Sequence, residues 1–149
     1  MKRVVLSAAI AAGALATVGV ASTSAQLTRA APDLVPVASR ILTGTASVRN
    51  VGSADAPAFV LTVQCQKQGG GSCVDHPGAA RYQHPAYPGR AVIQVPGLKK
   101  GQVFNHKFPF WNEMVWPPGN YNFLLEADAG KTVAETNEGN NFGGAVLAK

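Results

Sequence analysis

An all-β sandwich is the fold class that this 149-residue sequence predicts, on three observations. Apolar side chains recur at every second position in several short runs, the period of a strand with one buried face. Polar and Gly/Pro clusters fall between those runs, at 50–55, 96–97, 100–101, 117–120 and 135–141. No window carries the 3.6-residue period of an amphipathic helix. About seven short strands punctuated in this way is the pattern of an immunoglobulin-like sandwich of antiparallel strands. A barrel fits less well, and the chain holds no internal repeat.

The N-terminus decides which residues belong to the fold. Lys2 and Arg3 precede an almost wholly apolar run from Val4 to Val20, and Thr23-Ser24-Ala25 supplies small residues where a signal peptidase cuts. That is the pattern of a secretory signal over 1–25. Ala and Gly dominate the run and no basic stop-transfer flank follows it, which argues against an uncut anchor. Residues 26–31 read as a short linker and 32–148 as one domain. Removing 1–25 leaves 11 basic and 8 acidic side chains, a balance of +3. The remaining Lys and Arg are scattered, with Lys99-Lys100 the only adjacent pair, so no basic face for nucleic acid is expected. An exported product is expected, periplasmic or secreted, without membrane insertion after cleavage.

The strands follow in order. Asp33 to Val37 and Ile41 to Val51 are the first two candidates. Phe59, Leu61, Val63 and Cys65 then face one way, against Val60, Thr62 and Gln64. Ala91 to Val95 is the fourth. Phe104, His106, Phe108 and Phe110 form an inward row against Asn105 and Lys107, with Pro109 hinting at an edge or a strand end. Tyr121, Phe123, Leu125 and Ala127 form another, against Asn122, Glu126 and Asp128. Phe142 to Ala148 is the last.

The chain has two cysteines, Cys65 and Cys73, and an exported chain meets oxidising conditions. A disulfide between them is expected. It would close a short loop around three successive glycines, Gly69 to Gly71, for roughly 2 to 3 kcal/mol in the chain-entropy model. A redox or metal-binding pair would favour the closer Cys-x-x-Cys spacing.

An ordered series of segments resembles a known family. It runs from Pro32-Asp33-Leu34-Val35-Pro36-Val37 through Ala46-Ser47-Val48-Arg49-Asn50-Val51-Gly52-Ser53-Ala54 into Phe59-Val60-Leu61-Thr62-Val63. It continues with Val95-Pro96-Gly97-Leu98-Lys99-Lys100-Gly101-Gln102, Gly119-Asn120-Tyr121, Glu126-Ala127-Asp128 and Glu135-Thr136-Asn137-Glu138-Gly139-Asn140-Asn141. The series is similar to the CARDB family, the cell-adhesion-related domain found in bacteria, over about 32–148. The resemblance implies an immunoglobulin-like sandwich on exported bacterial proteins and no common enzyme activity. The chain departs from the compact pattern at 67–90, an elaborated loop.

That loop is the first candidate site. Long loops on a rigid sandwich are where binding tends to sit, and Asp75, His76, Tyr82, His84 and Tyr87 are its candidate partner-binding residues. The plain alternative is a decorated connector. Trp111 and Trp116 form a second candidate, able with Tyr82 and Tyr87 to stack on sugar rings if exposed on one surface, or to plug one end of the sandwich if buried.

The asparagine-rich turn offers Asp128, Glu135, Asn137 and Asn140, with Glu138 and Asn141, as oxygen ligands for calcium. Asn and Asp also shape turns through local hydrogen bonds, and that structural role is the stronger reading, with Glu135 and Glu138 solvated. His76, His84 and His106 show no metal-ligand spacing. No catalytic motif is present, and no metal or other cofactor is expected. The expectation is a noncatalytic adhesion or interaction module for a protein or cell-envelope partner, with a carbohydrate-binding module as the alternative.

Overall fold

A computed structural model describes residues 29–149 except 71, 72, 74 and 75. The expected signal at 1–25 and the first half of the expected linker lie outside the described residues. Among the described residues, seven strands form: β1 Leu34–Pro36, β2 Thr45–Asn50, β3 Phe59–Lys67, β4 Arg90–Val95, β5 Val103–Lys107, β6 Asn120–Glu126 and β7 Phe142–Ala148. They make a three-stranded sheet in the order β1-β2-β5 and a four-stranded sheet in the order β4-β3-β6-β7. Every pairing is antiparallel. This is the expected two-layer, immunoglobulin-like sandwich.

The alternating rows build it. Phe59, Leu61 and Val63 of β3 and Tyr121, Phe123 and Leu125 of β6 are buried, and the register sets Val63 beside Leu125 and Cys65 beside Phe123. From the other sheet come Leu34, Ala46 and Val48, with Ile41 beside them. Burying each large side chain of this set fully is worth about 1.5 to 3 kcal/mol.

Three local expectations need correction. Ile41 to Thr43 is not strand: Ala38–Thr43 forms a 3-10 turn, closed by Gly44 in the left-handed region at φ 79°. The inward row beginning at Phe104 leaves the ladder at Lys107, so Phe108 and Phe110 are buried from a loop. Asp128 does not point outward. It is 1% exposed, because the backbone there turns to φ 44° and Ala129 hydrogen-bonds to Val60 of β3.

Strand alternation sends the connections to two ends. Those between β1 and β2, β3 and β4, and β5 and β6 leave at one pole, where Trp111 packs on Gly44 and Lys67 approaches Gly119. The other three leave at the opposite pole, where Asn50 bonds to Ala54 and Leu98, and Thr136 bonds to Pro32.

Candidate binding pocket

The elaborated connection from β3 to β4 is anchored in three steps. The Cys65–Cys73 disulfide, with Cα atoms 5.7 Å apart, ties its first part to the end of β3. A 3-10 turn follows at Pro77–Tyr82, with Pro at its start and His76 as its cap, the ring Nδ1 accepting the Gly78 N–H at 3.0 Å. Tyr82 then enters the core at 8% exposure, its hydroxyl 2.8 Å from His106 Nε2 and its ring edge-on to Phe108. Burial, and then the Arg81 guanidinium, hold the His106 pKa below the usual histidine value, which favours the neutral ring against Tyr82.

The connection from β5 to β6 meets it. Phe110 stacks on His76 at 5.0 Å between centroids, and the Glu113 carboxylate lies 3.4 Å from His76 Nε2. Trp111 can lie this close to the fold only because residue 44 is glycine. An added Cβ there would stand 2.2 Å from the indole Cγ. Trp116 meets Tyr121 edge-on at 4.9 Å, and the Tyr121 hydroxyl donates to the Pro117 carbonyl at 2.7 Å. The two indoles are 5.1 Å apart and tilted by 54°.

Between the two connections is a pocket of about 630 Å³. Its floor is core: Ile41, Val63, Phe108, Phe110 and Phe123. The disulfide and Ala79 form one wall, Trp111, Met114 and Trp116 another, and His84, Pro85 and Tyr87 border the mouth. Its size falls within the roughly 300 to 1,000 Å³ of ligand pockets, which are likewise lined mainly by apolar and aromatic groups. Arg90 also borders it, with its guanidinium held by Glu126 and close to Thr62.

The two segments singled out from sequence therefore converge on one cavity, though not all of their residues face it. His84, Tyr87, Trp111 and Trp116 border it. Tyr82 belongs to the core, and His76 caps a turn and braces Phe110. Asp75 lies outside the described residues. The Tyr87 hydroxyl also lies against Gly130, within 3.3 Å of where a Cβ would be. With Tyr82 buried and the indoles tilted, the four aromatics proposed for sugar stacking do not form one exposed platform. Sequence reading missed Met114 and the core residues of the floor. Alternation continues through Phe108 and Phe110, and only Pro109 hinted that the strand ends before them.

At the opposite pole, the carboxylates of Asp128 and Glu135 and the Asn137 oxygen considered for calcium are engaged by the protein, while Asn140 Oδ1 and Asn141 Oδ1 are buried without a hydrogen-bond partner among the described residues. Asp128 accepts from the Thr132 N–H and hydroxyl and from the Val133 N–H at 2.8 to 3.0 Å. Glu135, expected from sequence to be solvated, instead accepts from the Leu34 N–H and from Asn141 Nδ2. Asn137 accepts the Gly139 N–H, and Asn140 Nδ2 donates to Asp33. Burial is the main reason the Glu135 pKa is pushed up to about 7; the Leu34 and Asn141 hydrogen bonds oppose it, and Glu138 and Asp128 add to it. Among the described residues no group of three or more His, Cys, Asp or Glu is arranged to hold a metal ion, and no helix is long and apolar enough to cross a membrane.

Comparison with known proteins agrees with this architecture. No curated protein matches the chain. A solution NMR structure of the 272–376 domain of a protein provisionally described as a cell surface protein, from Methanosarcina acetivorans, is 21% identical. It covers 80% of this chain and 92% of that one, with a TM-score of 0.50. A crystal structure of a CARDB domain from Pyrococcus furiosus, determined in complex with di-metal ions, is 19% identical, covers 81% of this chain and 96% of that one, and has a TM-score of 0.42. The family model for CARDB matches residues 28–143. With a sandwich of seven antiparallel strands in two sheets, the chain belongs to the CARDB family.

Proposed function

We propose that this domain is a noncatalytic, exported interaction module that captures a protein or cell-envelope partner at its aromatic pole. The observation that carries this reading is the convergence of the two irregular connections on one apolar pocket. A solvent-accessible apolar concavity on a rigid sandwich is a recognition surface. Val115, 80% exposed between Met114 and Trp116, extends the apolar surface outward at this pole. Export is supported by the signal pattern at 1–25 and by the disulfide, which persists in oxidising compartments.

Affinity capture from envelope and culture-medium extracts tests the reading. The mature chain is compared with a double variant, Val115→Asp and His84→Asp, whose exposed positions leave folding intact. At least a tenfold loss of the captured partner is expected. Equal capture by both proteins overturns the assignment of this pole.

A further inference from the structure

The geometry points to a small amphiphile with an apolar body and an anionic head as the ligand of this pocket, an inference that rests on the pole being the recognition surface. Depth is the first reason. The floor consists of core side chains of the four-stranded sheet and of the connections that cover it, so a ligand reaches the core instead of lying across the surface. Aromatic faces, the Met114 thioether and the disulfide supply polarizable, adaptable contacts for hydrocarbon.

Polar side-chain groups are a minority of the lining: Gln83, His84, Arg90, the Tyr87 hydroxyl and the two indole N–H groups. Gln83 and His84 border the mouth, His84 Nδ1 already accepts the Ala86 N–H, and the Arg90 guanidinium is neutralised by Glu126. A sugar, with a hydroxyl on nearly every carbon, would leave most of them unpaired against this lining, at a high desolvation cost. A hydrocarbon body leaves none.

Charge supplies the head group. Among the described residues, Arg40, Lys67, Arg81 and Lys107 stand at this pole without a carboxylate partner, while Glu113 lies beside His76. Arg81 is exposed in the turn that forms one side of the pocket. Their combined positive charge at this pole favours an anionic ligand over a neutral one.

The chain's two tryptophans both line the pocket, so intrinsic fluorescence reads its occupancy directly. The mature protein is titrated with dodecanoate, with 1-anilinonaphthalene-8-sulfonate and with neutral octyl glucoside, each below its micelle concentration, and followed by tryptophan emission and calorimetry. Saturable one-to-one binding of an anionic probe is expected, at least tenfold tighter than the neutral one. A preference for dodecanoate identifies a chain-like body, and a preference for the sulfonate an aromatic one.

Ala79→Phe, which fills the cavity, should weaken anionic binding at least tenfold. Arg81→Glu with Lys67→Glu, at the same pole but outside the pocket lining, should weaken the anionic probes several-fold and leave octyl glucoside unchanged. Absence of binding, several equivalents bound, or affinity unchanged in both variants overturns the inference. Equal affinity for neutral and anionic probes overturns the anionic head. If no probe binds while Val115→Asp with His84→Asp still abolishes partner capture, the amphiphile is wrong and the recognition pole stands; if capture survives, the recognition pole itself is wrong.

Discussion

The two poles of the sandwich are closed by different physics. At the aromatic pole, long connections are held by ring packing, one disulfide and glycines that make room for rings. At the other pole, the connections are held by buried polar side chains. Asn50, fully buried, accepts the N–H groups of Asp33 and Gly52 and donates to the carbonyls of Ala54 and Leu98. Asp128 and Glu135 do the same work for the turn between β6 and β7, and Glu135 reaches β1 across 101 residues of sequence. Hydrogen bonds fix geometry closely and leave a smaller void, about 390 Å³, beside Asp128 and Asn141. Large rings packed from two connections leave the larger, mainly apolar cavity of about 630 Å³.

The sharpest way to break this contrast is Gly44→Ala. The substitution forces a Cβ into a left-handed backbone at φ 79° and into the Trp111 indole. Strain and overpacking together should cost about 3 to 4 kcal/mol in urea unfolding, with a red-shifted tryptophan emission as Trp111 leaves its seat. A stable variant with unchanged emission would show that ring packing does not hold this pole.

Asn50→Ala is the matching test at the other end. It leaves two N–H groups and two carbonyls without their partner, and a loss of about 2 to 3 kcal/mol is expected by the same measurement. Tryptophan emission of the folded protein should not move, since both indoles lie at the far pole. A change in emission would mean that the poles are coupled.

The smallest effect is a dependence on pH. With its folded pKa raised to about 7, the Glu135 carboxyl binds its proton more tightly in the folded than in the unfolded chain. Its contribution is therefore fully present below about pH 4.5, and falls as pH rises towards and through 7. Because the group is partly exposed, the loss should be about 1 kcal/mol. Glu135→Gln keeps an acceptor for the Leu34 N–H and should flatten that part of the stability profile. An unchanged slope would assign the titration elsewhere.

Much of the fold was legible because strand alternation is a local property. Phe59 to Val63 and Tyr121 to Leu125 declare a buried face within five residues each, and Cys65 and Cys73 are near enough in sequence for their bridge to be expected. The polar turn at 135–141 reads from sequence as architecture, and Asn137 bonds within its own turn. The burial of Asp128 and Glu135 was not legible. One depends on a left-handed turn at a non-glycine residue, and the other on a partner in β1.

The candidate site divides in the same way. Its two segments stood out by composition, but nothing local distinguished Tyr82, which enters the core, from Tyr87, which borders the mouth. By itself the sequence determined the layers, the disulfide, the connections long enough to carry a site and the family, because each depends on short-range pattern or on ordered motifs. Only the tertiary structure decided that β3–β4 and β5–β6 leave at the same pole and enclose one cavity. That outcome depends on strand direction and on packing between residues such as Gly44 and Trp111, far apart in the chain and in contact only once both sheets have formed.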